Sequence, residues 1–185
     1  MNPMLLTDAY KLGHIVQYPE GTEYVYANFT PRSSKHFSVP YIAKNDKLVF
    51  FGLQAVLMEM REYWNRYFFD RSFKELYSEF KHSAAPFMGG NVFPENKLRE
   101  LWDHGHLPIL VKALPEGSRV NMRVPLFTIV NTDPRFYWLT NYLETYLSAQ
   151  LWKLSTSATI ADRYRSILKL YADKTGADMN FIPFQ

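Results

Sequence analysis

A strand gives way to a helix within the segment VPLFTIVNTDP, residues 124–134. Its first part, Val124–Val130, is rich in β-branched and aromatic residues, and Pro125 stands near its start, where proline disturbs a strand least. Asp133 then provides an N-cap and Pro134 the first helical position. The segment therefore predicts a strand that leads directly into a helix.

The rest of the chain shows the same two patterns. Further strands are expected at 24–29, 48–51 and 107–114. Helices are expected at about 8–16, from Leu53 to about Phe68, at 72–82, at 95–102, from 134 to about 151, and from Ser155/Thr156 to Gly176. The sequence predicts the α+β class, with one mixed sheet of four strands packed under amphipathic helices.

Two of these boundaries are specific. The segment from Pro86 to Gly90 is expected to break the chain between helices. The last helix is expected to start at the Ser155/Thr156 cap and to bury a stripe formed by Ala161, Tyr164, Leu168 and Tyr171.

Composition excludes several classes of protein. The 185 residues are 47% hydrophobic and contain no cysteine, so a core can form, whereas disulfides, cysteine nucleophiles and zinc ribbons are excluded. The net charge of +3 comes from interleaved charges, and we expect no nucleic-acid partner. No apolar run reaches membrane-spanning length and the N-terminus lacks a positive leader region, so we expect no membrane partner and a cytoplasmic location.

Common catalytic motifs are also missing. There is no P-loop, dinucleotide-binding glycine motif, zinc-protease motif or serine-hydrolase elbow. Gly89-Gly90 lacks the lysine and helix start of a phosphate cradle and is interpreted as a loop. Asp103-His104-Gly105-His106 resembles a metal site, but such close neighbours rarely converge on one ion. We assign no catalytic residue and no metal ligand to this chain.

Two clusters could carry chemistry. Thr7-Asp8-Ala9-Tyr10-Lys11 is either a capped helix with a core tyrosine and an exposed lysine, or a site in which Tyr10 presents its ring to an aromatic ligand and Asp8 fixes a neighbouring group. Arg32-Ser33-Ser34-Lys35-His36 is either part of an exposed polar loop over 31–46, or a set of phosphate ligands led by Arg32.

A series of short motifs is spread along the chain: LTDAYK (6–11), QYP (17–19), VFFGLQ (49–54), GHLPI (105–109), PEG (115–117), NTDP (131–134), YWLTN (137–141) and ET (144–145). Together they resemble the nicotinamide phosphoribosyltransferase family, whose N-terminal motif is similar to Leu6–Lys11. The resemblance runs along almost the whole chain and is weakest between Arg71 and Asn96.

The resemblance implies a function. Enzymes of this family join nicotinamide to phosphoribosyl pyrophosphate, with magnesium, and release nicotinamide mononucleotide and pyrophosphate. Their active site lies at a homodimer interface, where an N-terminal tyrosine stacks on the pyridine ring and an arginine after the first strand reaches the phosphates. The matching positions here are Tyr10 and Arg32, with Asp8 beside the ring.

The same resemblance implies that part of the site lies elsewhere. The family's His-Asp-Phe-x-x-Arg-Gly segment is expected directly after Gln185, so we expect residues 1–176 to form the N-terminal α+β domain, residues 177–185 to begin a truncated barrel domain, and the chain alone to be inactive. Two alternatives stay open: a nicotinate phosphoribosyltransferase, and a non-catalytic dimerisation or binding module.

Overall fold

A computed structural model describes residues 1–35, 47–89 and 93–180. The strands are β1 (Tyr26–Phe29), β2 (Lys47–Val49), β3 (Ile109–Ala113), β4 (Arg119–Asn121) and β5 (Phe127–Asn131). The α-helices are α1 (Leu53–Trp64), α2 (Phe73–Met88), α3 (Glu95–His104) and α4 (Leu139–Thr175). Short 3₁₀ segments cover Pro3–Leu5, Ala9–Val16 and Pro134–Phe136, and a π-helical turn, Asn65–Phe69, continues α1. Three predictions lie partly outside the described residues: the polar loop over 31–46 (at 36–46), the break from Pro86 to Gly90 (at Gly90), and the start of a barrel domain over 177–185 (at 181–185).

The α+β class is confirmed, but the expected four-stranded sheet is two sheets. β5 lies between β1 and β3 and pairs antiparallel with both. β2 instead pairs antiparallel with β4, which was not predicted because three residues are too short to show an alternating pattern. The turn at Pro115–Gly117 returns the chain to this second sheet, and the Gly117 amide donates to the Phe50 carbonyl at 2.8 Å.

The core lies between the helices and one face of the larger sheet. The stripe predicted for α1 is confirmed, since Leu53, Val56, Met60 and Trp64 are all buried. On the sheet, Phe127 and Ile129 of β5 are buried and β5 contacts α4. Burial of these apolar side chains is the main stabilising contribution to the domain.

The predicted helix boundary at Ser155 is wrong, because α4 is one continuous helix. Ser155 is buried, and its hydroxyl donates to the Phe51 carbonyl at 3.2 Å instead of capping a new helix. Thr159, one turn later, accepts the Val49 amide at 2.9 Å. The Ser155 hydroxyl that indicated a helix start therefore fastens residues 49–51 to the middle of α4 together with the Thr159 hydroxyl.

The buried stripe predicted for the end of α4 is also wrong. Tyr164 and Tyr171 are 54% and 58% exposed, Ala161 is exposed and Leu168 is half-buried. These four side chains therefore add little to the core, although Ala172 in the same part of α4 is buried. The predicted end is confirmed, since Gly176 adopts the left-handed conformation of a C-cap.

The predicted end of the helix within Pro86–Gly90 is confirmed, but it lies after Pro86, because α2 continues to Met88. The proline lies in the last turn of α2, and the left-handed Gly89 follows Met88. Proline removes one helical hydrogen bond, which disturbs the final turn less than the middle of a helix.

We expect removal of the Thr159 hydroxyl to lower the stability of the fold measurably. Thr159→Val keeps the side-chain shape but leaves the Val49 amide without its acceptor, so we expect the free energy of unfolding to fall by about 1–3 kcal/mol. Ser166→Ala is the matched control, because Ser166 lies exposed on the same helix and bonds only to the Asp162 carbonyl. Its expected effect is below about 0.5 kcal/mol. Equal losses in urea unfolding of the two variants would contradict this role for Thr159.

Asp133 is confirmed as a cap, although of the single 3₁₀ turn Pro134–Phe136. Its carboxylate accepts the Arg135 amide at 2.9 Å and pairs with the Arg135 guanidinium at 2.6 Å. The hydrogen bonds from Arg135 lower the pKa of Asp133 from 3.8 to about 2.

This pairing predicts a pH dependence. A carboxyl whose pKa is lower in the folded than in the unfolded state stabilises the fold above about pH 4, and that contribution disappears as the pH falls towards 2. Asp133→Asn should flatten the decrease in unfolding free energy between pH 4 and 2, measured by urea denaturation. A variant whose decrease equals that of the parent chain would refute the assignment.

Candidate functional site

The 3₁₀ helix Ala9–Val16 is fastened to α4 through Asp8, the residue that precedes it. The Asp8 amide donates to the Thr145 hydroxyl at 3.3 Å, and that hydroxyl donates to Asp8 Oδ2 at 2.7 Å. Thr7 adds a bond from its hydroxyl to the Tyr142 carbonyl at 3.0 Å. Asp8 occupies the predicted N-cap position, but its side chain bonds to α4 and makes no cap bond to the helix that it precedes.

Lys11 is buried rather than exposed, contrary to the structural interpretation of its cluster. Its side chain is only 4% exposed, and Nζ lies 2.9 Å from Glu144 Oε2. The same ammonium donates to the Asn141 carbonyl at 3.0 Å. A buried charge needs such partners, so the pair fixes the start of the 3₁₀ helix against α4.

Tyr10 is exposed rather than buried. The structural interpretation of the cluster predicts a core tyrosine, whereas the Tyr10 side chain is 64% exposed. Its ring lies 5.2 Å from that of His14, four residues further along the same helix. Partial desolvation and the nearby Asp8 carboxylate raise the pKa of the Tyr10 phenol. The ring lines an open cavity of about 270 Å³ together with Phe87, Met88 and Phe93.

Arg32 is exposed and lines a different cavity, of about 370 Å³, between β1, β5 and α4. One wall is the stacked pair Phe29 and Phe127, whose ring centroids are 5.4 Å apart. Glu144 and Trp152 of α4 form part of the opposite wall. Ser33 does not line this cavity; its hydroxyl instead accepts the Lys35 amide at 3.0 Å in a local turn.

The structure thus brings Asp8 and Tyr10 together and places Arg32 in a neighbouring cavity. Glu144 connects the two, because it lines the Arg32 cavity and pairs with Lys11. Sequence reasoning assigned no role to Lys11, Glu144 or Thr145. The ET pair at 144–145 had been noted only as part of a resemblance, and no short-range pattern links it to residues more than 130 positions earlier.

The histidine cluster does not form a metal centre with other ligands. The rings of His104 and His106 lie 4.3 Å apart, and desolvation together with His106 lowers the pKa of His104. Across residues 1–35, 47–89 and 93–180, no group of three or more histidine, cysteine or acidic side chains is arranged to hold an ion.

Within the described ranges, no helix is both long enough and apolar enough to cross a membrane.

Comparison with known proteins places this α+β domain among the phosphoribosyltransferases. Residues 2–111 match the family model described as nicotinamide phosphoribosyltransferase, N-terminal domain. The chain therefore belongs to the nicotinamide phosphoribosyltransferase family, as its motifs had indicated.

Curated relatives agree with this assignment. The chain is 49% identical to a nicotinamide phosphoribosyltransferase of Acinetobacter baylyi, covering 100% of this chain and 37% of the relative. It is 31% identical to one of Xanthomonas campestris, with 96% and 34% covered, and 29% identical to one of Mycoplasma genitalium, with 98% and 42% covered. The chain thus spans about a third to two-fifths of the length of these relatives.

Proposed function

We propose that this chain is the N-terminal part of an enzyme of NAD salvage that makes nicotinamide mononucleotide and pyrophosphate from nicotinamide and phosphoribosyl pyrophosphate. The observation that carries the proposal is the convergence of two separate family motifs. Thr7–Lys11 and Asn141–Thr145 contact each other through Asp8, Lys11, Glu144 and Thr145. The contact holds Tyr10 at the surface, and Glu144 of the second motif lines the cavity that Arg32 also lines.

The chemistry of this reaction suits these side chains. Displacement at the ribose anomeric carbon develops positive charge on the sugar while pyrophosphate leaves, so both substrates must be held in register. An exposed tyrosine offers a flat apolar face to a pyridine ring. A guanidinium can hold two phosphate oxygens at once. We assign these tasks to Tyr10 and Arg32, with Asp8 fixing the tyrosine's helix.

Magnesium is proposed to arrive bound to the phosphates of the donor. The described residues provide no group of three or more histidine or acidic side chains arranged to hold it. We also propose a cytoplasmic location.

The proposed active complex is a homodimer in which a second copy covers Tyr10. Supporting this, Tyr10, Val16 and Phe87 are 64%, 72% and 70% exposed and line one cavity. Exposed apolar side chains that lie together favour association. Sedimentation of the chain with and without Phe87→Ser tests the arrangement, and an unchanged distribution of dimer and monomer would oppose it.

Nicotinamide is favoured over nicotinate because the three relatives reported above are all named as nicotinamide enzymes. We propose that the isolated chain makes no nicotinamide mononucleotide, since it spans about a third to two-fifths of its relatives' length and lacks the family's His-Asp-Phe-x-x-Arg-Gly segment. Clear turnover by the isolated chain in a steady-state assay would contradict that part of the proposal.

The phosphate role of Arg32 is tested by binding of inorganic pyrophosphate to the chain, measured by calorimetry. Arg32→Gln should weaken binding about fivefold or more, as expected for losing one charged hydrogen-bond donor. Arg165→Gln removes an exposed arginine of α4 outside the cavity and should change affinity less than about twofold. Equal effects of the two substitutions would refute the assignment.

A further inference from the structure

The Arg32 cavity contains an electrostatic conflict. Arg32 and Glu144 both line it, and the other lining side chains are neutral. The cavity, at about 370 Å³, is at the small end of ligand sites. A carboxylate lining the same cavity would attract the guanidinium and repel the phosphates that Arg32 is proposed to bind.

Lys11 resolves this conflict. Its ammonium lies 2.9 Å from Glu144 Oε2 and is held on its other side by the Asn141 carbonyl at 3.0 Å. The lysine side chain is 4% exposed, whereas that of Glu144 is 62% exposed. The lysine is therefore the buried partner of the pair and the glutamate the exposed one. Within the described residues, Arg32 forms no ion pair with Glu144.

We propose that Lys11 is a positioning residue that holds Glu144 away from Arg32 and so keeps the guanidinium open to phosphate oxygens. The inference rests on the proposed function, because it takes phosphate as the ligand of Arg32. The charges of Lys11, Arg32 and Glu144 add up to one net positive charge at the cavity. Without Lys11, the exposed carboxylate is free to turn and neutralise Arg32.

The test is a double-mutant cycle on the whole chain, with inorganic pyrophosphate as the probe and calorimetric affinity as the readout. Lys11→Gln removes the charge but can still donate to the Asn141 carbonyl, and it should weaken binding about fivefold to tenfold, in the range of a partly buried charge pair. Lys11→Gln combined with Glu144→Gln should restore affinity to within about twofold of the parent chain, as should Lys11→Arg alone. Lys169→Gln, an exposed lysine of α4, controls for net charge.

A double variant as weak as Lys11→Gln would overturn the inference, because the lysine would then act on the ligand or the fold and not through Glu144. If Arg32→Gln binds pyrophosphate as well as the parent chain, the proposed function of Arg32 fails instead. The two failures differ, since the first leaves the dependence on Arg32 intact.

A second measurement does not require that a Lys11 variant folds. The ¹⁵Nε resonance of Arg32 should stay unchanged in Glu144→Gln, because the parent chain already keeps the two apart. A clear shift of that resonance would show that Arg32 and Glu144 pair in the parent chain, which would overturn the inference.

Discussion

Tyr10→Ala should raise the Michaelis constant for nicotinamide about tenfold to a hundredfold in an active transferase that contains this domain. Stacking of a heteroaromatic ring on an aromatic side chain contributes about 1–3 kcal/mol, and each 1.4 kcal/mol is a factor of ten. The constant for phosphoribosyl pyrophosphate should change much less, because Arg32 lies in a separate cavity. Steady-state kinetics with each substrate varied in turn measures both.

The matched control is Tyr10→Phe, which keeps the ring and removes only the hydroxyl. Its constants should stay within about twofold to threefold of the parent enzyme if the ring face supplies the binding energy. Since Tyr10 is 64% exposed, neither substitution should lower the melting temperature appreciably. Equal increases for both substrates, or a Phe variant as impaired as the Ala variant, would refute ring stacking.

The parts of this fold that sequence predicts are those set by local rules. The stripe of α1 recurs every three or four residues and is buried as expected. Asp133 followed by Pro134 marks a true cap, because a carboxylate and a fixed backbone angle act over a few residues. Such signals need no knowledge of the rest of the chain.

The errors come from contacts between distant segments. Ser155 is of a residue type that favours an N-cap, yet it lies within α4, where its hydroxyl bonds to the Phe51 backbone, 104 positions away. Lysine is usually exposed, but Lys11 is buried, and its ammonium pairs with Glu144, which lies 133 positions further along the chain. Periodicity likewise cannot show that Tyr164 and Tyr171 are more than half exposed.

Of the candidate site, sequence supplied the residue identities and not their arrangement. Motif resemblance named Tyr10, Asp8 and Arg32, and both Tyr10 and Arg32 are exposed, as ligand contact requires. That Asp8 bonds to Thr145, and that the tyrosine and the arginine line separate cavities, follows only from the packing of α4. The roles of these three residues stay predictions.

Gly52→Ala should be the most destabilising of the single substitutions considered, lowering the unfolding free energy by about 2–4 kcal/mol. Gly52 has φ +99° at the start of α1, and an added Cβ would lie 2.5 Å from Leu154 Cδ1 and 2.9 Å from Leu154 Cβ. The left-handed backbone alone costs an alanine about 1–2 kcal/mol. The clash adds to this, because Leu154 Cβ cannot move without shifting α4.

Gly117→Ala separates the two contributions. Gly117 has φ +84°, and nothing lies within 4 Å of an added Cβ, so this variant should lose only the backbone term of about 1–2 kcal/mol. Adding Leu154→Ala to Gly52→Ala should recover part of the loss, since it removes the contact at 2.5 Å and keeps the one at 2.9 Å. Urea unfolding of the four proteins measures these differences. Equal destabilisation by the two glycine substitutions would mean that α1 and α4 do not approach each other as closely as this packing requires.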